Sequence, residues 1–246
     1  MTAPTEWFRD WFGDAYLSLY PHRDEAEAGQ GVRLFETAAR PAKGARVLDL
    51  ACGVGRHLLH LTEAGHTAVG IDLSARLLAE ARALLGPEAH LVRGDMRRLP
   101  FRDGSFGALA NFFTSFGYFA TEEEDRDVVE EIRRVLRPGG VFLMDYLNAP
   151  YVRDTLIPDD ELAVDGRIVR QTRWLEGGTV TKRIDIHSTE DDRSETFYER
   201  VRMYEPEELT SLLARLGLVT TARFGGYQGE PHDAGAARLL LVGHAE

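Results

Sequence analysis

The feature that most constrains the fold of this chain is a strand that turns sharply into a helix. The apolar run Arg46–Leu50 is typical of a buried strand, and a helix begins near Arg56. Between them, Gly53 and Gly55 remove two Cβ atoms, so a ligand can lie against bare backbone at this point. The segment therefore predicts the first unit of an α/β domain, with a ligand site at the turn.

Two acidic residues indicate which ligand the turn would hold. Asp49 stands four residues before the first glycine, where it would repel a phosphate at the helix N-terminus and favour a cation or a hydroxyl. Asp72 ends the next apolar run, Thr67–Ile71, and is placed to accept both hydroxyls of a ribose. S-adenosylmethionine has a sulfonium, an ammonium and a ribose but no phosphate, and it fits this description.

The glycine spacing argues against a dinucleotide as the ligand. A dinucleotide-binding turn has the pattern G-x-G-x-x-G, or ends in alanine. Here Leu58 stands at the third position, and it is too bulky for the close helix–strand packing that a glycine permits. The turn therefore favours S-adenosylmethionine over NAD.

Strands and helices alternate along most of the chain, which predicts a doubly wound, parallel α/β sheet. The predicted strands are Arg46–Leu50, Thr67–Ile71, His90–Arg93, Phe106–Phe112, Val141–Tyr146, Leu218–Phe224 and Arg238–Val242. The predicted helices are Asp24–Arg40, Arg56–Ala64, a helix capped by Ser74 that runs to Leu85, one that starts at the capping box Thr121/Glu124 and runs to Leu136, and Pro206–Leu216. A turn at residues 138–140 is expected before the fifth strand.

The alternation stops between about Asn148 and Tyr204, where apolar residues recur with a period of two. Glycine and aspartate pairs supply the turns, so this stretch predicts an antiparallel meander of about four strands. We expect residues 1–147 and 205–246 to form one domain, with an aromatic N-terminal segment. Residues 148–204 would be an inserted subdomain, serving as a lid over the site or as a dimer surface.

Composition restricts the classes of partner. The formal net charge is −11, which argues against a protein that binds nucleic acid through its phosphates. The single cysteine excludes a disulfide framework within the chain and is typical of a reducing cytoplasm. We find no membrane span or signal pattern in the sequence, so a cytoplasmic monomer or homodimer is expected.

The chain resembles the class I S-adenosylmethionine-dependent methyltransferases, in particular bacterial small-molecule enzymes with an aromatic N-terminal segment and a β-rich insertion. The resemblance covers roughly residues 30–147 and 205–246. It rests on five segments in the family's order and spacing: Val47–Gly55, Gly70–Ser74, Gly94–Met96, Leu99–Phe106 and Val135–Gly140. It implies a Rossmann-like, seven-stranded, mostly parallel sheet with a reversed last strand, and S-adenosyl-L-methionine as cofactor.

The resemblance also implies roles for individual residues. Asp49 would interact with the methionine ammonium, directly or through water, and Asp72 would hold the ribose. Asp95 would accept a hydrogen bond from the adenine amino group, with Leu73 and Met96 walling the ring. The remaining cofactor candidates lie at the glycine turn and the end of the fourth strand: Ala51, Gly53, Gly55, Arg56, Asn111 and Phe112.

Two of these candidates have equally simple structural interpretations. Arg56 would bind the methionine carboxylate or lie in solvent as a helix-start arginine. Phe112 would present its ring to the sulfonium or serve in packing. No metal is expected, because no carboxylate or cysteine completes a ligand set around His57 and His60.

The acceptor site is less well defined by the sequence. Methyl transfer needs mainly alignment and exclusion of water, so no catalytic triad is expected. The candidates for the acceptor side are four tyrosines, together with His22 beside them: Tyr16, Tyr20, Tyr118 and Tyr146. The function expected is methyl transfer to N, O or C of a small molecule. An RNA or protein methyltransferase and a non-catalytic cofactor-binding regulator are the alternatives.

Overall fold

The computed structural model describes residues 3–20 and 25–246. His22, and the predicted helix start at Asp24, lie outside the described residues. The strands in chain order are β1 (Arg46–Leu50), β2 (Thr67–Asp72), β3 (His90–Arg93), β4 (Phe106–Asn111), β5 (Leu136–Leu147), β6 (Asp159–Val164), β7 (Arg167–Glu176), β8 (Thr179–Ser188), β9 (Ser194–Arg202), β10 (Leu218–Phe224) and β11 (Arg238–Ala245). The helices are α1 (Trp7–Trp11), α2 (Asp14–Leu19), α3 (Glu25–Leu34), α4 (Arg56–Glu63), α5 (Ala75–Leu85), α6 (Glu122–Val135), α7 (Ala149–Thr155) and α8 (Pro206–Arg215).

Seven strands form one sheet in the order β10-β11-β5-β4-β1-β2-β3. Strands β1 to β5 pair in parallel, whereas β11 runs antiparallel to both β5 and β10. Apolar side chains cover both faces, since Leu48 and Leu50 belong to one buried cluster and Val47 to another. The predicted doubly wound, seven-stranded, mostly parallel sheet with a reversed last strand is confirmed.

Local signals account for the helix starts on this sheet. The Ser74 hydroxyl accepts a hydrogen bond from the Leu77 backbone N–H at 3.1 Å, which caps α5. Thr121 and Glu124 form a reciprocal capping box at the start of α6. Both caps were predicted from residue type and spacing, and both are confirmed.

Several predicted boundaries differ from the structure. The helix predicted to run to Arg40 is α3 followed by a π-helical turn, Phe35–Ala39, and it ends where Arg40 adopts a left-handed φ of 52°. Strand β5 begins at Leu136, which pairs with Phe106. The residues expected to form a turn before β5 are instead a bulge inside it, because the next pair is Ala108 with Val141.

The insertion begins with the short helix α7, which the sequence did not predict. Strands β6 to β9 then form a separate antiparallel sheet in chain order, as expected of a meander. Helix α1 packs against β9, and the Trp11 side chain is fully buried there. The N-terminal segment therefore lies between the inserted sheet and the main sheet.

Candidate active site

A cleft with a volume of about 570 Å³ lies at the carboxyl ends of β1, β2 and β4. Ligands bind at this edge in open α/β sheets. The lining side chains come from residues 8–20, 50–57, 71–84, 93–96 and 112–119. No residue of the inserted sheet is among them, so the insertion is not itself a wall of the cleft.

The glycine turn and the end of β2 are joined by Asp72. Its Oδ2 atom accepts a hydrogen bond from the Gly53 N–H at 2.9 Å, and its Oδ1 atom accepts one from the Ser74 N–H at 2.8 Å. Gly53 has a φ of 54°, and Ala51 beside it has a φ of 61°, a region that costs a residue with a Cβ some strain. Asp72 thus holds the turn in shape while it lines the cleft.

Gly55, in contrast, does not line the cleft. A Cβ built there would lie 2.8 Å from Leu85 Cδ1 and 3.1 Å from Ala81 Cβ. The glycine therefore permits α5 to pack closely against the turn. The missing side chain thus makes room for protein, and the predicted contact of Gly55 with the cofactor stays a prediction.

Asp49 is buried at the end of β1, and its Oδ2 atom has no hydrogen-bond partner among the described residues. Burial and the charge of Asp72 raise the pKa of Asp49 to about 7. Asp49 is not itself among the residues that line the cleft, but the next two residues, Leu50 and Ala51, are. A buried carboxylate oxygen without a partner fits a positively charged donor, directly or through water. This is the chemistry of the S-adenosylmethionine ammonium, so the residues present fit that cofactor.

Asp95, Leu73 and Met96 line the cleft together beyond the end of β2. Asp95 is oriented by Arg97, whose Nη2 atom lies 2.6 Å from Oδ2. Partial burial raises the pKa of Asp95, but the bonds from Arg97 outweigh it and the pKa lies below its usual value. The carboxylate is therefore ionised, and both of its oxygens accept hydrogen bonds from Arg97.

Arg56 and His57 begin α4 and line the same cleft. The Arg56 guanidinium carbon lies 5.8 Å from the centre of the Phe113 ring. His57 stacks on Phe112, with ring centres 4.1 Å apart and an interplanar angle of 8°. Burial, with the charge of Arg56, lowers the pKa of His57 to about 3, so the imidazole is neutral. His57 is not among the predicted site residues, although a position on the first turn of the helix, directly after the glycine turn, is a signal for a site residue.

The end of β4 places its residues differently from the prediction. Asn111 is buried outside the cleft, where its Nδ2 atom donates to the Leu50 carbonyl oxygen at 2.9 Å. It joins the ends of β1 and β4 and does not reach the ligand space. Phe112 does line the cleft, and its packing interpretation is supported by the stack on His57. Phe113 and Ser115 were missed, and both line the cleft.

Aromatic rings form the other side of the cleft. Phe12 and Tyr16 have ring centres 5.1 Å apart, and Tyr16 and Tyr20 have ring centres 5.4 Å apart. Tyr118 stacks on Phe12 at 6.0 Å. We call Phe12, Tyr16, Tyr20 and Tyr118 the aromatic wall. The Phe12 carbonyl oxygen also accepts a hydrogen bond from the Ser74 hydroxyl at 2.6 Å, which ties the wall to the start of α5.

Tyr146 is not part of this wall. Its side chain is fully buried between the main sheet and the insertion, and its hydroxyl donates to the backbone carbonyl oxygen of Arg202. The prediction of Tyr146 as an acceptor-side residue is wrong, because this tyrosine packs beneath the inserted sheet. Tyr16, Tyr20 and Tyr118 do line the cleft.

Within residues 3–20 and 25–246 no group of three or more His, Cys, Asp or Glu side chains is arranged to hold a metal ion. Over the same ranges, we find no helix with the length and apolar character needed to span a membrane.

The sheet order, the glycine turn and the acidic strand ends together define a class I methyltransferase. A family model described as a methyltransferase domain matches residues 47–140. The chain is also 34% identical, over 94% of its length and 96% of the relative's, to the dTDP-3-amino-3,4,6-trideoxy-alpha-D-glucopyranose N,N-dimethyltransferase of Streptomyces venezuelae. The chain belongs to the S-adenosylmethionine-dependent methyltransferases.

Two solved structures agree with this assignment. The sugar N-methyltransferase KedS8 from Streptoalloteichus is 25% identical with a TM-score of 0.73, over 95% of this chain and 94% of that one. The amino pentose methyltransferase CalS10 from Micromonospora echinaspora, solved with S-adenosylmethionine bound, is 26% identical with a TM-score of 0.70, over 95% of this chain and 97% of that one. The protein is an enzyme that uses S-adenosylmethionine to methylate a small-molecule acceptor.

Proposed function

We propose that the methyl acceptor is the amine of an aminodeoxysugar carried on a nucleoside diphosphate. The observation that carries the proposal is the aromatic wall. Its four rings line the cleft, and none of them belongs to the residues assigned to the cofactor. Aromatic faces favour an ammonium and its methylated forms, and they pack against the apolar face of a sugar. The relative in Streptomyces venezuelae, similar over nearly the whole of both chains, is named for such an acceptor.

We assign the cofactor to the acidic side of the cleft. Asp72 would hold the ribose hydroxyls, Asp95 the adenine amino group, and Leu73 and Met96 the faces of the ring. Asp49 would attract the ammonium, and Arg56 the carboxylate. Ala51 and Gly53 would let the ligand approach the backbone of the turn, and Phe112 would lie near the sulfonium. When bound, the cofactor supplies an activated methyl group for in-line displacement.

The residues of the chain then need to align the acceptor and exclude water. The attacking nitrogen must present its lone pair, so the amine has to lose a proton before or during transfer. A pKa of about 3 makes His57 a weak base, because a good catalytic base has a pKa near the working pH. We infer that His57 acts as a neutral hydrogen-bond partner and that the proton passes to water.

The test compares two probes that differ at one atom. The enzyme, S-adenosylmethionine and dTDP-3-amino-3,4,6-trideoxy-alpha-D-glucopyranose should yield products with one and two added methyl groups by mass spectrometry. The matched analogue with a hydroxyl in place of the amine should yield none. Methylation of the hydroxyl analogue, or of RNA or a peptide in preference to the amine, would overturn the proposal. The net charge of −11 argues against the RNA outcome.

The remaining assignments are part of the same proposal. We infer that residues 1–147 and 205–246 form the transferase domain and that residues 148–204 form the insertion. We place the enzyme in the cytoplasm, because its single, buried cysteine has no partner in the sequence for a disulfide. Light scattering on the purified enzyme would distinguish a monomer from a homodimer that uses the insertion as its surface.

A further inference from the structure

The inserted sheet reaches the cleft only through the N-terminal segment. Strands β8 and β9 place Lys182 and Glu199 opposite each other in register, and the two side chains form an ion pair. Both are largely buried, with 16% and 22% of the side chains exposed. Each member of this pair also bonds to a different residue of the segment that carries the aromatic wall.

Both the carboxylate of Glu199 and the ammonium of Lys182 bond to the N-terminal segment. Glu199 Oε1 accepts a hydrogen bond from the Trp11 indole N–H at 2.7 Å. Lys182 Nζ lies 3.3 Å from the Tyr20 hydroxyl oxygen and 5.7 Å from the centre of its ring. Trp11 is fully buried, and Tyr20 lines the cleft. The pair therefore fixes one residue that anchors the segment and one that faces the ligand space.

The segment depends on such contacts for its shape. Helix α1 has five residues and α2 has six, whereas isolated helices shorter than about 12 residues are marginal in water. A third bond, from Arg167 Nη1 to the Ser18 hydroxyl at 2.9 Å, joins α2 to strand β7. The inserted sheet therefore contributes to the geometry of the segment, together with the bond from the Ser74 hydroxyl to the Phe12 carbonyl oxygen.

A buried ion pair costs desolvation free energy that apolar packing does not cost, so packing alone does not explain this pair. Removing two charges from water costs several kcal/mol, and an apolar pair of similar volume is often as stabilising or more so. Hydrogen-bonded charges, in contrast, impose a direction on their partners. Although burial lowers the pKa of Lys182, attraction to Glu199 and Tyr20 outweighs it and raises the pKa overall, so the lysine stays charged.

We propose that Lys182 and Glu199 are positioning residues for the acceptor, holding Trp11 and Tyr20 so that the aromatic wall has a fixed shape. This inference rests on the proposed function, since the wall is assigned to the acceptor. Neither residue touches the ligand space. The insertion therefore affects acceptor binding indirectly, through a segment more than 150 residues away in sequence.

The test uses two double variants of the insertion. Lys182→Met/Glu199→Met removes both charges and leaves no uncompensated buried charge. Arg170→Met/Glu161→Met is the matched control, because it removes another cross-strand pair of the same sheet whose side chains are 68% and 51% exposed. We expect the first variant to raise the KM for the aminodeoxysugar probe about tenfold, with kcat changed much less. The affinity for S-adenosylhomocysteine should be unchanged in both.

A second measurement is independent of any acceptor. Hydrogen–deuterium exchange at the backbone amides of residues 11–20 should be about tenfold faster in Lys182→Met/Glu199→Met than in wild type, and unchanged in the control. A folded variant with wild-type exchange and wild-type KM would overturn the positioning role, even if its melting temperature changed. Should the double variant not fold, Trp11→Phe, which removes the indole N–H together with part of the ring, replaces it under the same two criteria. Its control is Trp7→Phe, because Trp7 is also buried and its indole N–H has no hydrogen-bond partner among the described residues.

The two proposals fail in different ways. If the wild-type enzyme does not methylate the amine probe, the proposed acceptor is wrong, and the exchange measurement still decides the positioning role. If the probe is methylated but neither KM nor exchange responds to the loss of the pair, the positioning role is wrong and the acceptor assignment stands.

Discussion

Arg238 and Asp145 form an ion pair behind the cleft, with Nη1 of the arginine 2.9 Å from Oδ2 of the aspartate. The same oxygen accepts hydrogen bonds from the Tyr227 hydroxyl and from the Phe113 N–H, the latter at 2.7 Å. Phe113 has a φ of 63°, and it lines the cleft. The pair therefore joins the last strand of the sheet to a strained residue in the ligand space.

We expect Asp145→Ala to lower the free energy of unfolding by about 3–5 kcal/mol. It removes the buried partner of Arg238, which keeps only the more exposed Glu27, and it leaves the Phe113 N–H and the Tyr227 hydroxyl without their acceptor. Urea denaturation would measure the change. Glu207→Ala is the control, since Glu207 pairs with Arg223 on the surface with 76% of its side chain exposed, and its loss should cost less than about 1 kcal/mol. Equal effects of the two substitutions would contradict this account of Asp145.

The pKa of Asp49 predicts how the stability of the ligand-free enzyme depends on pH. Burial raises this pKa from 3.8 to about 7. Between these values the folded state keeps the proton and the unfolded state loses it, so stability from this group falls as pH rises. We expect Asp49→Asn to remove that part of the slope in melting temperature between pH 4 and 7. Parallel curves for the variant and wild type would show that Asp49 does not titrate there.

The same carboxyl should govern cofactor binding in the opposite direction. Only ionised Asp49 attracts an ammonium, so S-adenosylhomocysteine should bind more tightly as pH rises through about 7. Calorimetry at pH 6 and pH 8 would measure the change. In Asp49→Asn the affinity should be lower at pH 8 and nearly the same at both values. A wild-type affinity that does not vary with pH would argue against an ionic contact.

Asp72→Ala should weaken S-adenosylhomocysteine binding by about 1–3 kcal/mol, because the ribose hydroxyls lose an ionised acceptor. Part of the loss will come through the glycine turn, since Asp72 also accepts the Gly53 N–H. Asp154→Ala, an exposed residue of α7, is the control. If affinity is unchanged while the variant is folded, the cofactor binds elsewhere.

The enzyme should bind S-adenosylhomocysteine with a Kd of about micromolar order and should not bind NAD. Leu58 is buried against Gly70, where a Cβ would lie 2.9 Å from Leu58 Cδ2. The close packing that a dinucleotide site needs is thus taken up by this side chain. Calorimetry with both ligands would decide, and heat from NAD with none from S-adenosylhomocysteine would refute the assignment.

The parts of the fold that depend on near neighbours in sequence could be predicted. Caps such as Ser74 and Thr121 act within three residues, and the apolar runs of β1 to β4 have the length and flanking glycines of buried strands. The acids at the ends of β1 and β2 follow the same logic. Side chains at strand ends meet at one edge of a parallel sheet, so the sequence alone predicts that Asp72 lies in the cleft.

The errors concern contacts between distant parts of the chain. Tyr146 was assigned to the cleft because it ends β5, but the insertion packs on that side chain, and its hydroxyl partner is 56 residues away. The insertion is expected to act as a lid over the site or as a dimer surface, and this stays a prediction. Bonds such as that from Trp11 to Glu199, 188 residues apart, join the insertion to the N-terminal segment, and a contact over that distance leaves no local signal in the sequence.

The bonds between the N-terminal segment and strands β7 to β9 bear on how acceptor preference can be transferred between relatives. Grafting residues 7–20 of one enzyme onto another would transfer the aromatic rings of the segment without the side chains of the insertion that orient them. We expect such chimaeras to discriminate less well between acceptors. The smallest exchangeable unit is the segment together with those three strands. Selection can accordingly change which acceptor is bound through substitutions that do not contact it, while the acidic side of the cleft stays the same.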